Sequence, residues 1–205
     1  MVNLSMTSKK YVKDYDVVET EDSHGRIKKS AVYRGNFFHV DLEENQLKQF
    51  KVQILVLFFL SLAMHVVAGM LNNIEALRII YIAIPYSVSF IPMLFLGEAI
   101  FRLPKEKRPF QNEEIGRSYR QVINMGRLTI IFELIGLLGG LIYQIFVAKG
   151  RNLGAEALYF GLILVATGLN WLIFSRTKAI SIREEIPEKP PEEASNEEAD
   201  SINSE

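Results

Sequence analysis

Five polar side chains interrupt long apolar stretches of this sequence, and their types could support chemistry there. Placing an ionisable or strongly polar group among apolar surroundings is costly, so such groups are the first place to look for function. A buried carboxyl or imidazole can take up a proton or bind a cation, whereas an amide can only form hydrogen bonds. The five residues are Glu98, Glu133, Asn170, His65 and Gln144.

These residues fall at two levels when depth is counted at about 1.5 Å per helical residue. Glu98 lies roughly 5 Å, and Glu133 and Asn170 roughly 8 Å, from one edge of their apolar stretches. His65 and Gln144 lie roughly 20 and 24 Å from that edge. We expect the first three to form one polar layer, and the last two to be too far away for direct contact with it, though able to meet each other. His65 is expected to be a hydrogen-bonded contact between helices.

Two interpretations of the polar layer remain open. One is a hydrophilic cavity that opens to the cytoplasm, with Glu133 as a proton or cation site. The other is a structural clamp in which Glu98 and Glu133 pair with Arg102, Arg127 and Asn170 and hold the helices together. Arg102 follows Glu98 by four residues, a spacing that lets the two side chains pair on one helix face.

The stretches that carry these side chains are long enough to cross a bilayer, which requires about 20 mostly apolar residues in a helix. They cover residues 52–71, 79–101, 128–148 and 157–175. A soluble core seldom contains four separate apolar stretches of this length. The sequence therefore predicts an all-α membrane protein, a four-transmembrane-helix bundle whose membrane domain covers residues 42–176.

Lysine and arginine residues set the expected orientation, because they are enriched in cytoplasmic loops. The loop 102–127 contains seven of them: Arg102, Lys105, Lys107, Arg108, Arg117, Arg120 and Arg127. The other two loops contain only Arg78 in one case, and Lys149 and Arg151 in the other. We expect this loop and both tails on the cytoplasmic side, in the plasma membrane.

The N-terminal segment, residues 1–41, is polar and contains short runs of strand-forming residues. It predicts a small β meander with a turn at 22–25. Asp41, with Glu44 three residues later, is typical of a helix N-cap, and one helix could then cover residues 42–71. The strands are expected at residues 15–19, 31–33 and 37–40.

The other polar parts are the inner loop and the C-terminal tail. After Pro109, Asn112 can cap an amphipathic helix with Ile115, Tyr119, Val122 and Ile123 on one face, leading into the third span. That face could bind lipid or a partner, or the helix could simply lie at the membrane interface. Residues 177–205 are expected to be a disordered acidic tail, since 184–205 contain nine acidic residues and one lysine.

Small residues in two of the spans predict close helix packing. Gly136 and Gly140 form a GxxxG pattern in the third span, and Ala157 and Gly161 a similar pattern in the fourth. We expect packing within one chain, with contacts between copies as the alternative. Pro85 and Pro92 are expected to kink the second span.

The sequence contains no catalytic, cofactor or metal signature. It has no cysteine and three scattered histidines, and its net charge of −1 gives no reason to expect nucleic acid. We expect a multi-pass integral membrane protein that acts as a non-catalytic accessory or interaction subunit. Its partners would be the lipid bilayer and either another membrane protein or a second copy. The alternative is a small transporter or channel that uses Glu133.

Overall fold

The computed structural model describes residues 9–21, 27–71, 74–146 and 153–185. The turn expected at 22–25, the loop lysine and arginine at 149 and 151, the end of the third predicted span and most of the acidic tail lie outside these residues. The chain forms two compact units. The first comprises Met1–His39, Pro109–Glu113 and Ile182–Glu205, and is called here the sheet unit; the second comprises Val40–Arg108 and Glu114–Ser181, and is called the helical unit.

Four helices of the structure are long and apolar enough to cross a membrane, which confirms the predicted number. Helix α1 covers Glu44–Met70 and α2 covers Ile80–Phe101. A short helix α3 (Asn112–Ile115) runs through a π-helical turn (Gly116–Arg120) into α4 (Gln121–Phe146), and α5 covers Leu153–Lys178. A 3-10 turn, Ala76–Arg78, precedes α2.

The helices of the helical unit pack mainly in the order α1, α5, α4, α2, with a smaller contact between α1 and α2. Buried residues of α1 recur every three or four positions, which places one stripe of each helix inward. Helix α2 continues through both Pro85 and Pro92. The inward stripes carry the polar residues discussed below.

Helix α1 is capped at Glu43 and not at Asp41, so the predicted cap is wrong by two residues. Glu43 and Gln46 form a capping box, in which the Glu43 backbone N–H donates to Gln46 Oε1 at 3.0 Å. Asp41 lies in a bend before the helix, and its backbone N–H donates to the Ser181 carbonyl oxygen at 3.1 Å. That contact joins the two ends of the helical unit and could not be seen in the local sequence.

The sheet unit differs from the predicted meander. Strands β1 (Tyr15–Glu21) and β2 (Ile27–Tyr33) form an antiparallel hairpin. Strand β3 (Phe37–Val40) leaves them and lies between β4 (Phe110–Gln111) and β5 (Ile182–Glu185). The expectation of disorder from residue 177 is therefore wrong for Ile182–Glu185, which pairs with a strand distant in sequence.

Aromatic ring contacts and hydrogen bonds of Tyr33 to backbone groups stabilise the sheet unit. The Tyr33 ring packs edge-on against Tyr15 and against Phe37, each with ring centroids 5.2 Å apart. The Tyr33 hydroxyl donates to the Asn36 carbonyl oxygen at 2.8 Å and accepts the Asn112 backbone N–H at 3.0 Å. One tyrosine, Tyr33, therefore contacts the hairpin, β3 and the inner loop.

The amphipathic face at the start of the third helical run is buried in the protein. Ile115, Tyr119 and Val122 are each at most 1% exposed. The Tyr119 ring stacks on Phe50 with centroids 6.4 Å apart. The expected lipid- or partner-binding surface is therefore wrong for these three residues, because this apolar side packs within the helical unit. The position of the helix at a membrane interface stays a prediction.

Candidate functional site

A cluster of four polar side chains, one from each long helix, occupies the centre of the helical unit. It comprises His65 of α1, Ser89 of α2, Glu133 of α4 and Asn170 of α5, and is called here the core polar cluster. The His65, Ser89 and Asn170 residues are fully buried, and Glu133 is 2% exposed. Asn170 Nδ2 donates to Glu133 Oε1 at 2.9 Å, and His65 Nδ1 lies 3.4 Å from the same oxygen.

The His65 imidazole is held firmly on its α2 side. Its ring stacks on the Tyr86 ring at 4.7 Å and 11°, and meets the Phe90 ring edge-on at 4.7 Å. His65 Nε2 lies 2.9 Å from Ser89 Oγ, and the Tyr86 hydroxyl donates to the His65 carbonyl oxygen at 2.9 Å. These contacts fix the ring plane and direct Nδ1 at Glu133.

Three atoms of the cluster lack a hydrogen-bond partner although they are buried. They are His65 Nδ1, Glu133 Oε2 and Asn170 Oδ1. Beside them lies a cavity of about 10 Å³ whose wall includes His65, Glu133 and Tyr86. A single water molecule needs roughly 10–15 Å³ of such space, so the cavity is close to the size of one water. Unpaired buried polar atoms are uncommon in folded proteins and mark this cluster as the candidate site.

The expected separation of His65 from Glu133 is wrong. The predicted depths count from Val52 and Leu128, the first residues of the two apolar stretches. The helical runs begin earlier, at Glu44 and at Asn112, and from these starts His65 and Glu133 are each 21 residues along. His65 Nδ1 and Glu133 Oε1 lie 3.4 Å apart, so the two side chains are at one level of the bundle.

Arg127 lies within α4, where its side chain contacts an aromatic ring of α5. Its guanidinium carbon lies 5.7 Å from the centroid of the Phe174 ring, a cation–π contact. The expected pairing of Glu133 with Arg127 is therefore not what the structure shows, whereas the expected pairing with Asn170 is present. A long basic side chain can extend from within an apolar stretch in this way.

Glu98 is separate from the core polar cluster. It pairs with Arg102 of the same helix at 2.5 Å, as the four-residue spacing predicted. Both side chains are more than 40% exposed. The predicted layer of Glu98, Glu133 and Asn170 is thus reduced to the last two, with His65 as the third member.

Gln144 also lies apart from the cluster. It lines an apolar groove of about 440 Å³ between α4 and α5, together with Leu141, Phe160 and Gly161. The described polar contacts of His65 are to α2 and to Glu133, so His65 does not form the contact with Gln144 that its depth allowed.

The predicted packing glycines divide into two groups. A Cβ on Gly140 would overlap the Phe160 ring, and one on Gly136 would lie 3.9 Å from Pro85, so both face neighbouring helices of the same chain. Gly161 has nothing within 4 Å, and Ala157 is exposed. The α4 pattern packs within the chain, as predicted, and the α5 pattern faces outward.

Sequence reasoning missed Glu156, the second buried carboxylate of the described chain. It is 1% exposed, and its Oε1 accepts the backbone N–H groups of Glu75 at 2.7 Å and Ala76 at 3.1 Å. The carboxylate thus caps the 3-10 turn between α1 and α2. The available signal is its position directly before the predicted fourth span.

Lys51 was likewise overlooked as a structural residue. It is 9% exposed, and its ammonium donates to the Phe101 carbonyl oxygen at 2.7 Å and to that of Leu103. A lysine here satisfies carbonyl groups at the C-terminal end of α2, where the helix dipole also favours positive charge. It fixes the start of α1 against the end of α2.

Within the residues that the structure describes, no group of three or more His, Cys, Asp or Glu side chains could hold a metal ion. In comparisons with protein-family models, with curated proteins and with solved structures, nothing matches this chain. Its function must therefore be argued from the core polar cluster and from the sheet unit.

Proposed function

We propose that this chain is a multi-pass integral membrane protein that acts without catalysis, as an accessory or interaction subunit. The observation that carries the proposal is the three-stranded sheet β4-β3-β5, which gathers strands from three distant parts of the sequence. A bundle of four long helices needs only short connections. The sheet unit is therefore an addition to the bundle, and it provides a surface that a partner could bind.

The outward faces of the helices support the lipid bilayer as the surrounding medium. Large apolar side chains are exposed along all four, among them Met70 at 74%, Leu94 at 70% and Phe146 at 74%. A soluble monomer rarely exposes so much apolar surface. The excess of lysine and arginine in the inner loop supports a cytoplasmic position for that loop and for both tails, in the plasma membrane.

The small cavity beside the core polar cluster supports a non-catalytic role, because it has no room for a substrate larger than water. The cavity beside Glu133 measures about 10 Å³, and its wall is built from apolar and aromatic residues apart from His65 and Glu133. Small-molecule sites are usually clefts of roughly 300–1,000 Å³. The cavity beside Glu133 is far smaller than this, which supports a role that does not bind a small-molecule substrate there.

The sheet unit offers a defined way to bind a partner. Strand β5 is at one edge of the three-stranded sheet, and three of its four residues are exposed. An edge strand can pair with an extended segment of another chain through main-chain hydrogen bonds. We propose this edge, together with the hairpin, as the partner-binding surface.

Photo-crosslinking in cells tests the proposal with a matched pair of valines. Val32 lies in the sheet unit and is 43% exposed, and Val67 lies on the outward face of α1 and is 47% exposed. With a photoreactive amino acid at each position, we expect a protein adduct of defined mass from position 32 and none from position 67. An adduct of twice the chain mass would identify a second copy as the partner. Equal protein adducts at both positions, or none at position 32, would count against an interaction role.

Truncation separates the sheet from the acidic tail. The chain should be cut after Glu185, because Glu184 and Glu185 belong to β5 and contact Asn36 and His39. Retention of the position-32 adduct in this variant assigns binding to the sheet unit. Its loss assigns binding to residues 186–205.

A small transporter or channel remains the second candidate, since Glu133 Oε2 has no partner in the described chain. Replacement of Glu133 by glutamine in proteoliposomes distinguishes the two. A proton or cation flux in the unaltered protein that the glutamine variant lacks would favour transport. Absence of flux in both would leave the interaction role.

A further inference from the structure

The hydrogen-bond pattern around Ser89 fixes one proton on His65. The Ser89 hydroxyl carries a single hydrogen, and it donates this to the Tyr86 carbonyl oxygen at 2.6 Å. Ser89 Oγ must then act as the acceptor in its 2.9 Å contact with His65 Nε2. His65 Nε2 is therefore protonated, and in the neutral imidazole Nδ1 would carry a lone pair.

That lone pair would face an oxygen of Glu133. His65 Nδ1 and Glu133 Oε1 lie 3.4 Å apart with both side chains fully buried. If His65 were neutral and Glu133 ionised, two acceptors would face each other. The carboxylate would have one described donor, the Asn170 amide at 2.9 Å. Such an arrangement leaves a net negative charge in a buried, poorly solvated place, which is costly.

The residues around the pair supply no other positive charge. The polar groups that face it are Ser89 and Tyr86 of α2, and Tyr159 and Asn170 of α5, all of them uncharged side chains. The remaining wall residues are apolar, and in the described part of the chain neither lysine nor arginine lines this cavity. Compensation for the carboxylate must therefore come from a proton within the pair itself.

We propose that Glu133 and His65 together form a binding site for one proton in the core of the bundle. The proton is held either on the Glu133 carboxyl or on His65 Nδ1, and both arrangements make the pair neutral overall. In both, one proton joins two atoms that would otherwise repel each other. The cavity of about 10 Å³ beside the pair has room for one water, which would give Glu133 Oε2 a partner.

This site is independent of the partner-binding surface proposed above. The sheet unit contains none of the four residues of the core polar cluster. A protein that binds partners through its sheet unit can hold this proton whether or not it moves any ion. The test below therefore succeeds or fails separately from the crosslinking experiment.

Nitrogen NMR of the full-length protein at neutral pH locates the proton if it is on His65. His24 and His39 are replaced by glutamine, so that His65 is the only histidine and the core is unaltered. We expect a protonated Nε2 in every case. A protonated Nδ1 as well, the signature of an imidazolium, places the shared proton on His65 and supports the proposal.

Infrared spectroscopy locates the proton if it is on Glu133. Glu133 and Glu156 are the two buried carboxyls among the described residues, so Glu156→Gln removes the competing group. A carboxylic acid carbonyl band that persists in Glu156→Gln and disappears in Glu133→Gln places the proton on Glu133. If Glu133→Gln does not fold, persistence of the band in Glu156→Gln is sufficient. A neutral His65 together with no such band would overturn the proposal.

Discussion

At the scale of single residues, the two buried carboxylates of this protein have different tasks. Glu133 faces His65 and Asn170 in the middle of the bundle. Glu156 binds two backbone N–H groups of the turn that precedes α2. A carboxylate that accepts backbone donors stabilises a defined local structure, whereas one with an unpaired oxygen and an imidazole beside it can bind a proton.

Replacement of Glu156 by alanine should destabilise the helical unit. The change leaves the buried N–H groups of Glu75 and Ala76 without their acceptor, and an unpaired buried donor costs about 1–3 kcal/mol. Glu156→Gln keeps an oxygen at this position, so its loss should be below about 1 kcal/mol. Thermal unfolding of the purified variants in detergent measures both. An alanine variant as stable as the unaltered protein would show that the turn does not depend on this carboxylate.

Contacts between residues close in sequence were easier to predict than contacts between residues on different helices. The Glu98–Arg102 pair follows from a four-residue spacing and was predicted correctly. The Glu133–Asn170 hydrogen bond was expected from similar depths and is present. The His65–Glu133 contact was missed because depth along a helix depends on where that helix begins, and its beginning is set by packing and capping.

At the scale of elements, two glycines in neighbouring helices have opposite surroundings. Gly140 of α4 is packed under the Phe160 ring, and Gly161 of α5 faces open space. Phe160 directly precedes Gly161, so one turn of α5 presents an inward ring and an outward glycine. The contact of Gly140 with Phe160 sets the separation of α4 and α5 beside the core polar cluster.

The same substitution at these two glycines should therefore have opposite effects. Gly140→Ala forces the Phe160 ring to move and should lower the free energy of unfolding by about 1–3 kcal/mol, as overpacking does. Gly161→Ala meets no atom, and the better helix propensity of alanine should leave stability unchanged or raise it by about 0.5–1 kcal/mol. Chemical or thermal unfolding in detergent compares the pair. Equal losses at both sites would show that the α4–α5 contact is not as described.

Strand pairing was the element-level feature that the sequence predicted least well. The strand-forming runs near residues 15, 31 and 37 were recognised, but their partners were not. Strand β4 has two residues and β5 has four, which is too short for a period-two pattern to be distinguished from a loop. Their pairing with β3 depends on three segments meeting, and such long-range meetings leave no local pattern.

At the scale of the whole molecule, the sheet gives the helical topology a consequence that can be tested. Strand β3 precedes α1, β4 lies between α2 and α3, and β5 follows α5. If the long helices cross a membrane, as proposed, the union of these strands in one sheet requires that the segments next to α1, α2 and α5 that carry them lie on the same side of it. An even number of membrane crossings, as proposed, satisfies this requirement.

Cysteine labelling in intact cells tests that topology and the proposed orientation. The chain has no cysteine of its own, so a single introduced cysteine can be followed without a background to remove. Arg78 and Lys107 are both exposed and lie in different loops. A membrane-impermeant maleimide should label Arg78→Cys in intact cells and Lys107→Cys only after lysis. The reverse pattern would invert the orientation, and labelling of both in intact cells would contradict the crossing of α2.

The sequence by itself determined the helix content of this protein, because hydropathy and length are local properties that four long apolar stretches make plain. It also determined the i,i+4 pair on α2 and the choice of Glu133 as a residue to examine. Only the tertiary structure decided which helices meet at which level, since the relative register of helices depends on close contacts such as Gly140 with Phe160. That register, which local patterns do not encode, brings His65 to Glu133 and creates the proposed proton site.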